Sequence, residues 1–359
     1  MTFIKDNTSV PLVQEGPNTG ADGTILTVDP VVSPRIKEAT PHLPYLDGWR
    51  GCAILTLLAG HFAPVPWINM GRTGVDLFFV LSGRLMAEIL FVRSFPLGEF
   101  FKRRFARIWP ALLVFTLLVT ILTERVTWLD AVKALTFTIN YWRGDGFIHH
   151  VWSLCVEEHS YVVLALMALI VRRWKVDPFI LCLSLALACV VNGALQVAFA
   201  EKYSYYDVYW RSDVRAASIF LAAAAYLYFL RRNMPMWFPI AMGLLGWMFQ
   251  ATVFPDVVKY SMGSACFACS VATMGGAKDW AVKLLSNRVL TIAGALSYSV
   301  YLWQQPFYES GENAKHKLLL LPLALICAVL SFYLVEKPSR KFIVGLGRKR
   351  KPLPAQPES

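Results

Sequence analysis

Residues 178–200 read PFILCLSLALACVVNGALQVAFA and contain no charged side chain. A helix needs roughly 20 apolar residues to cross the hydrocarbon core of a bilayer, and this stretch meets that length without a break. It therefore decides the class of the whole chain. Working outward, uncharged apolar runs recur at 233–255, 260–277, 289–308 and 318–335. The composition agrees, with 56% hydrophobic residues, only 16% charged ones and a mean hydropathy of +0.47, well outside the range of a soluble domain of this size. The expected fold is all-α, a polytopic transmembrane helical bundle of about 10 spans. They are expected near 46–66, 72–92, 106–123, 150–171, 177–199, 212–230, 236–254, 260–276, 288–308 and 317–336.

The net charge of +11 could suggest a nucleic-acid partner, but the basic residues are clustered between apolar runs. Membrane proteins with basic cytoplasmic loops have that pattern, and a nucleic-acid role is excluded on this ground. The clusters are Arg93 to Arg107, Arg172 with Arg173 and Lys175, Arg231 with Arg232, Lys278 with Lys283 and Arg288, and Lys337 to Lys351. All fall on one side if the segment 128–142, WLDAVKALTFTINYW, is a re-entrant or surface helix rather than a span. Both termini are then cytoplasmic. Residues 1–45 lack the apolar core of a signal peptide and are expected to form a flexible cytoplasmic tail. The transmembrane domain is expected over 46–341, followed by a disordered basic tail over 342–359. The seven cysteines all lie in apolar segments. CFAC at 266–269 has no second pair to complete a zinc site, so no metal is expected.

Ionisable groups are costly inside a membrane, and those that persist there point to pairing or function. In LDGWRGCAILTLLAGHF, residues 46–62, Arg50 and His61 lie eleven positions apart. That is about 20° from three full turns and about 16 Å along the axis, so the two share a face. In GRTGVDLFFVLSGRLMAEIL, residues 71–90, Arg72 with Asp76 and Arg84 with Glu88 have the four-residue spacing of self-neutralising pairs. Ser82 and its glycine neighbours permit close helix approach. In FFKRRFARIWP, residues 100–110, Arg104 and Arg107 are one turn apart and can grip one polyanion, because guanidinium groups bind phosphate oxygens in pairs. In HVWSLCVEEHSYVVL, residues 150–164, Ser153 and Glu157 share a face and Glu158 is rotated by about 100°. A carboxylate facing His61 at similar depth would make a general base with its orienting partner.

These pieces, in this order, resemble the membrane-bound acyltransferase 3 family, whose members O-acylate cell-surface glycans and some secondary metabolites. The resemblance rests on LDGWRGCAILTLLAGHF, GVDLFFVLSG, RFARIWP, VWSLCVEEHSY, LSYSVYLWQQP and YLVEKPSRK, and extends from about residue 45 to 341. It implies an integral protein of a bacterial inner membrane. It also implies acyl-CoA, commonly acetyl-CoA, as a cytoplasmic co-substrate, no tightly bound cofactor, and a glycan or glycan-like hydroxyl as acceptor. Arg50, Arg104 and Arg107, with Lys102, are expected to bind the coenzyme A phosphates. His61 is expected to act as base, oriented by Glu157 or Glu158, with Ser153 or the Trp152 indole N–H stabilising the carbonyl oxygen. Asp76, Ser82, Trp152 and Gln304 are expected in the substrate cavity. Two positions depart from the family pattern: Gln304 stands where a His is usual, and His159 where a Gln is usual. Some members append a hydrolase-like domain, and an acyl relay through one is expected to need another protein here. A proton-coupled transporter of a small polar solute is the alternative reading of the buried charges.

Overall fold

The computed structural model describes residues 42–142, 146–199 and 205–346. The expected N-terminal tail up to residue 41, and the end of the expected C-terminal tail from 347 on, lie outside them. The described body from Leu43 onward is helices joined by turns and loops, with isolated backbone bridges at Val65, Ile68 and Ala251 and no strand among the described residues. We number the helices α1 Pro44–Phe62, α2 Met70–Ala87, α3 Leu97–Leu122, α4 Trp128–Leu135, α5 Trp152–Trp174, α6 Pro178–Phe199, α7 Ala217–Phe229, α8 Phe238–Phe249, α9 Ser264–Thr273, α10 Asp279–Leu285, α11 Arg288–Ser310, α12 Ala314–Ser331 and α13 Lys337–Gly345.

Each stretch expected to span holds a helix. Four helical stretches among the described residues are long and apolar enough to cross a bilayer: Leu97–Leu122, Gly146–Trp174, Pro178–Phe199 and Ala314–Gly345. The second includes the turn Gly146–His149 ahead of α5, and the fourth joins α12 to α13 through a π-helical turn at Phe332–Glu336. Residues 342–345, expected in the disordered tail, instead complete the last turn of α13. Phe342, Ile343 and Val344 are apolar and extend the helix already running from Lys337, and the polar run begins only after them. In the segment 128–142, α4 has eight residues, a rise of about 12 Å that falls far short of a hydrocarbon core. A capping box starts it: the Thr127 hydroxyl accepts from the Asp130 amide at 3.1 Å, and the Asp130 carboxylate accepts from the Thr127 amide at 3.4 Å.

Large apolar side chains are exposed along the outside of the bundle, while its apolar core also buries charged and polar groups. Leu118, Ile121, Leu166, Leu187, Leu319 and Ile326 are among the exposed large hydrophobics, whereas Asp76, Arg84, Ser153, Arg215 and Glu336 are buried. That distribution suits a lipid solvent and makes this an integral membrane protein. Two small residues set the crossing on which the candidate site depends. A Cβ on Gly51 would lie 2.1 Å from the Leu290 carbonyl oxygen, and one on Gly294 would lie 1.9 Å from that of Asp47. Only glycine lets the α1 and α11 backbones approach this closely. The contact locks the helix carrying Arg50 and His61 against the one carrying Gln304.

Candidate active site

Polar groups form a column between α1, α2, α3, α5 and α11, with an arginine-rich cavity toward one end and His61 toward the other. The cavity has a volume of about 70 Å³, and its lining includes Arg50, Arg104, Arg107, Ser82, Ser153, Glu157 and Tyr301. Three guanidinium groups thus face one lining carboxylate. Arg104 lies 3.5 Å from Glu157 Oε2 and 3.3 Å from Glu158 Oε1, and its guanidinium sits 3.9 Å from the Tyr161 ring centroid. Glu157 also accepts from the Tyr161 hydroxyl at 2.6 Å and from the Ser82 hydroxyl at 3.1 Å. Arg50 pairs with Asp47 at 3.3 Å. Arg107 also lines the cavity, and among the described residues no carboxylate lies at ion-pair distance from it, Glu336 being the acidic group that acts on it from farther off. The cavity thus presents a cation with no direct ion pair.

Ser153 and Tyr301 bound this cavity, and neither His61 nor Gln304 lines it. The Tyr301 hydroxyl donates to the His150 carbonyl, so its single proton is committed. Ser153 must then donate to Tyr301 across their 2.7 Å contact. Its hydrogen is therefore taken, and the expected role of Ser153 as donor to a carbonyl oxygen does not match this arrangement. Trp152 lies in an aromatic wall against Phe79, Tyr209 and Trp210, outside the cavity lining, rather than in the substrate cavity as expected.

Beyond that boundary, His61 Nδ1 is 2.7 Å from Gln304 Oε1. The imidazole stacks on Tyr308, with centroids 4.6 Å apart and planes 22° apart, and Lys317 Nζ lies 3.8 Å from the Tyr308 centroid. Its Nε2 edge lies over α2, where a Cβ on Gly71 would come within 3.1 Å. The expected pairing of His61 with Glu157 or Glu158 is thus corrected: Gln304 takes the histidine and Arg104 takes both carboxylates. The reason is depth. The helical stretch containing α5 begins at Gly146, so Glu157 lies about 16 Å along it, level with the arginines instead of with His61.

Three other expectations change. Asp76 is sealed in the core, ion-paired with Arg215 and accepting from Gln250 Nε2 at 3.2 Å, and lines no part of the cavity. Its expected partner Arg72 instead lies 3.4 Å from Asp256. Lys102 donates to the Leu346 carbonyl and lies 3.9 Å from Glu99. It sits about 200° around α3 from Arg104, on the wrong face for the cavity. Arg84 and Glu88 do pair, at 2.7 Å. His159 binds the Ser212 hydroxyl at 2.7 Å. The sequence reading passed over Tyr298, Tyr301, Gln305 and Tyr308. Their signal was present in LSYSVYLWQQPFY, where positions 298, 301, 304, 305 and 308 recur at helical spacing.

Comparisons with known proteins bear on this arrangement. The profile of a family described as an acyltransferase domain, acyltransferase 3, matches residues 43–336. The peptidoglycan O-acetyltransferase OatA of Listeria monocytogenes is 26% identical over 354 residues, covering 85% of this chain and 57% of the relative. The O-acetyltransferase OatA of Staphylococcus aureus is 26% identical over 348 residues, covering 84% of this chain and 57% of the relative. This chain therefore spans under two thirds of the length of these curated relatives. No solved structure matches it.

Proposed function

Since the chain belongs to the acyltransferase 3 family, we propose that it is an acyl-CoA-dependent O-acetyltransferase acting on a hydroxyl of a cell-surface glycan of the peptidoglycan type. The observation that carries the donor is Arg107, a cavity-lining cation with no carboxylate partner among the described residues, beside Arg50 and Arg104. Phosphate groups of coenzyme A supply the matching charge and accept the forked N–H groups of arginine. The printed activity of the OatA relatives suggests the acceptor class.

About ten spans with both termini cytoplasmic would put the arginines toward the cytoplasm, where acyl-CoA is available, and His61 toward the far side. The basic clusters support that orientation. The thioester arm then follows the column from Arg107 past Ser153 and Tyr301, whose hydrogen bond must open, toward His61. There the acceptor oxygen attacks the thioester carbonyl carbon. His61 Nε2 takes the hydroxyl proton as the C–O bond forms, the C–S bond breaks, and the imidazolium returns that proton to the departing coenzyme A thiolate. The role of Glu157 and Glu158 in this reading is to hold Arg104 in place, and no carboxylate acts directly on the base.

The test is release of free coenzyme A from acetyl-CoA by the purified protein offered a panel of surface glycans. Release that needs both glycan and His61 is the expected result, with His61→Ala reducing turnover by about 10²- to 10⁴-fold. A His61→Ala protein as active as wild type removes His61 as base. Proton-coupled solute uptake into vesicles without coenzyme A release would favour the transporter instead.

A further inference from the structure

A hydrogen-bonded chain leaves His61 along α11 and ends on two groups that can only accept. Gln305 Nε2 donates to Glu309 Oε1 at 3.0 Å and to the Gly146 carbonyl at 3.3 Å. A carboxylate and a backbone carbonyl both lack protons to give, so the NH₂ end of Gln305 must face them. The carbonyl carries this constraint at any pH. The oxygen of Gln305 therefore faces the other way, and it accepts from Gln304 Nε2 at 3.0 Å. That contact orients the second amide in turn and aims Gln304 Oε1 at His61 Nδ1, 2.7 Å away. An amide oxygen has no proton, so Nδ1 must carry the hydrogen. In a neutral imidazole the other nitrogen then presents a lone pair.

We infer that Glu309, Gln305 and Gln304 form a positioning chain that holds His61 in its Nδ1–H tautomer and presents Nε2 as the proton acceptor. The inference rests on the reading of His61 as the base. The chain does for the base what a directly bound carboxylate does elsewhere, through two polarised amides. Gln304 and Gln305 are buried, which keeps water from competing for their hydrogen bonds. Tyr308 fixes the plane of the ring by stacking. The chain sets which nitrogen is protonated, and Nε2 is the nitrogen on the ring edge that faces Gly71.

The test is the ring-nitrogen NMR spectrum of the full chain carrying ¹⁵N-labelled histidine. The chain has six histidines, and the His61 signals are assigned by subtraction of His61→Gln. A protonated Nδ1 with a bare Nε2 is expected in wild type. Gln304→Leu removes the acceptor and is expected to shift the signals toward the Nε2–H form, with kcat about ten-fold lower and the KM for acetyl-CoA unchanged. Gln305→Leu frees the Gln304 amide to turn over and is expected to give a mixture of the two forms. Gln304→Glu supplies another acceptor-only group, so it keeps Nδ1–H and restores turnover relative to Gln304→Leu. A purely structural role would not separate those two variants. An Nε2–H tautomer in wild type, or an unchanged tautomer in Gln304→Leu, overturns the inference whatever the activity. Full turnover by His61→Ala, with the tautomer as stated, overturns the base assignment and leaves the positioning chain standing.

Discussion

The bundle buries two charged clusters that differ in one respect. Around Asp76 every charge meets its opposite: Arg215 pairs with it, Gln250 completes its acceptors, and the Arg215 guanidinium lies 4.4 Å from the Tyr209 centroid and 5.2 Å from that of Tyr260. Asp76 lines no part of the candidate cavity. Around Arg107 there is a cavity, and the cation facing it lacks a carboxylate partner among the described residues. The first cluster is closed and serves to hold α2 to the segment before α7. The second is incomplete in a way that an incoming anion can complete. A buried charge in a membrane helix is thus no marker of function by itself, whereas a cavity beside a cation with no direct ion pair makes that cation a candidate.

Breaking the closed cluster should give the largest effect on folding. Arg215→Met leaves Asp76 buried without its cation, a loss of about 3–5 kcal/mol, read as a lower unfolding temperature in detergent. Asp76→Asn combined with Arg215→Met should recover part of that loss, because no lone charge remains. If Arg215→Met instead weakened acetyl-CoA binding without loss of stability, the two clusters would have to change places in this account.

Breaking the open cluster should act on the ligand and spare the fold. Arg107→Ala removes charge-assisted hydrogen bonds of about 1.5–3 kcal/mol, hence donor affinity falls about 10- to 100-fold, measured by calorimetric titration with acetyl-CoA. The unfolding temperature without ligand should stay near that of wild type. Gly71→Ala sharpens the contrast at the far end of the column. Its methyl would sit 3.1 Å from His61 Nε2, so turnover should fall several-fold, by roughly 1 kcal/mol, with donor affinity unchanged. Lys102→Ala should do least. On the opposite face of α3 from the cavity, it is expected to stay within about 0.5 kcal/mol of wild type, and a large rise in the KM for acetyl-CoA would put the lysine back in the donor site.

Much of the fold was legible, because runs such as 178–200 leave a helix no environment but lipid or a core. The short length of α4 was also foreshadowed by the basic clusters on either side of it. Pairing across helices was less accessible. The Arg84–Glu88 pair follows from spacing along one helix, but Asp76 finds Arg215 from 139 positions away, and no local rule reaches that far. Depth was the other weak point. Placing Glu157 beside His61 required knowing where the helical stretch of α5 begins, and the turn from Gly146 moves the carboxylate down to the arginines. The Gln304 contact to His61 was readable only as part of a stripe on α11. The stripe identifies a polar helix face, but not the helix it meets. The glycine contacts between α1 and α11 settle that, and they are visible only in three dimensions.

If one end of the column binds the donor and the other performs the chemistry, binding and turnover come apart between two variants. The measurement is titration of acetyl-CoA into wild type, Arg107→Ala and His61→Ala under one set of conditions. His61→Ala should bind as wild type while turning over at least about 100-fold more slowly, and Arg107→Ala should lose most of its affinity. Wild-type affinity in Arg107→Ala, or loss of binding in His61→Ala alone, would rule out this division of labour.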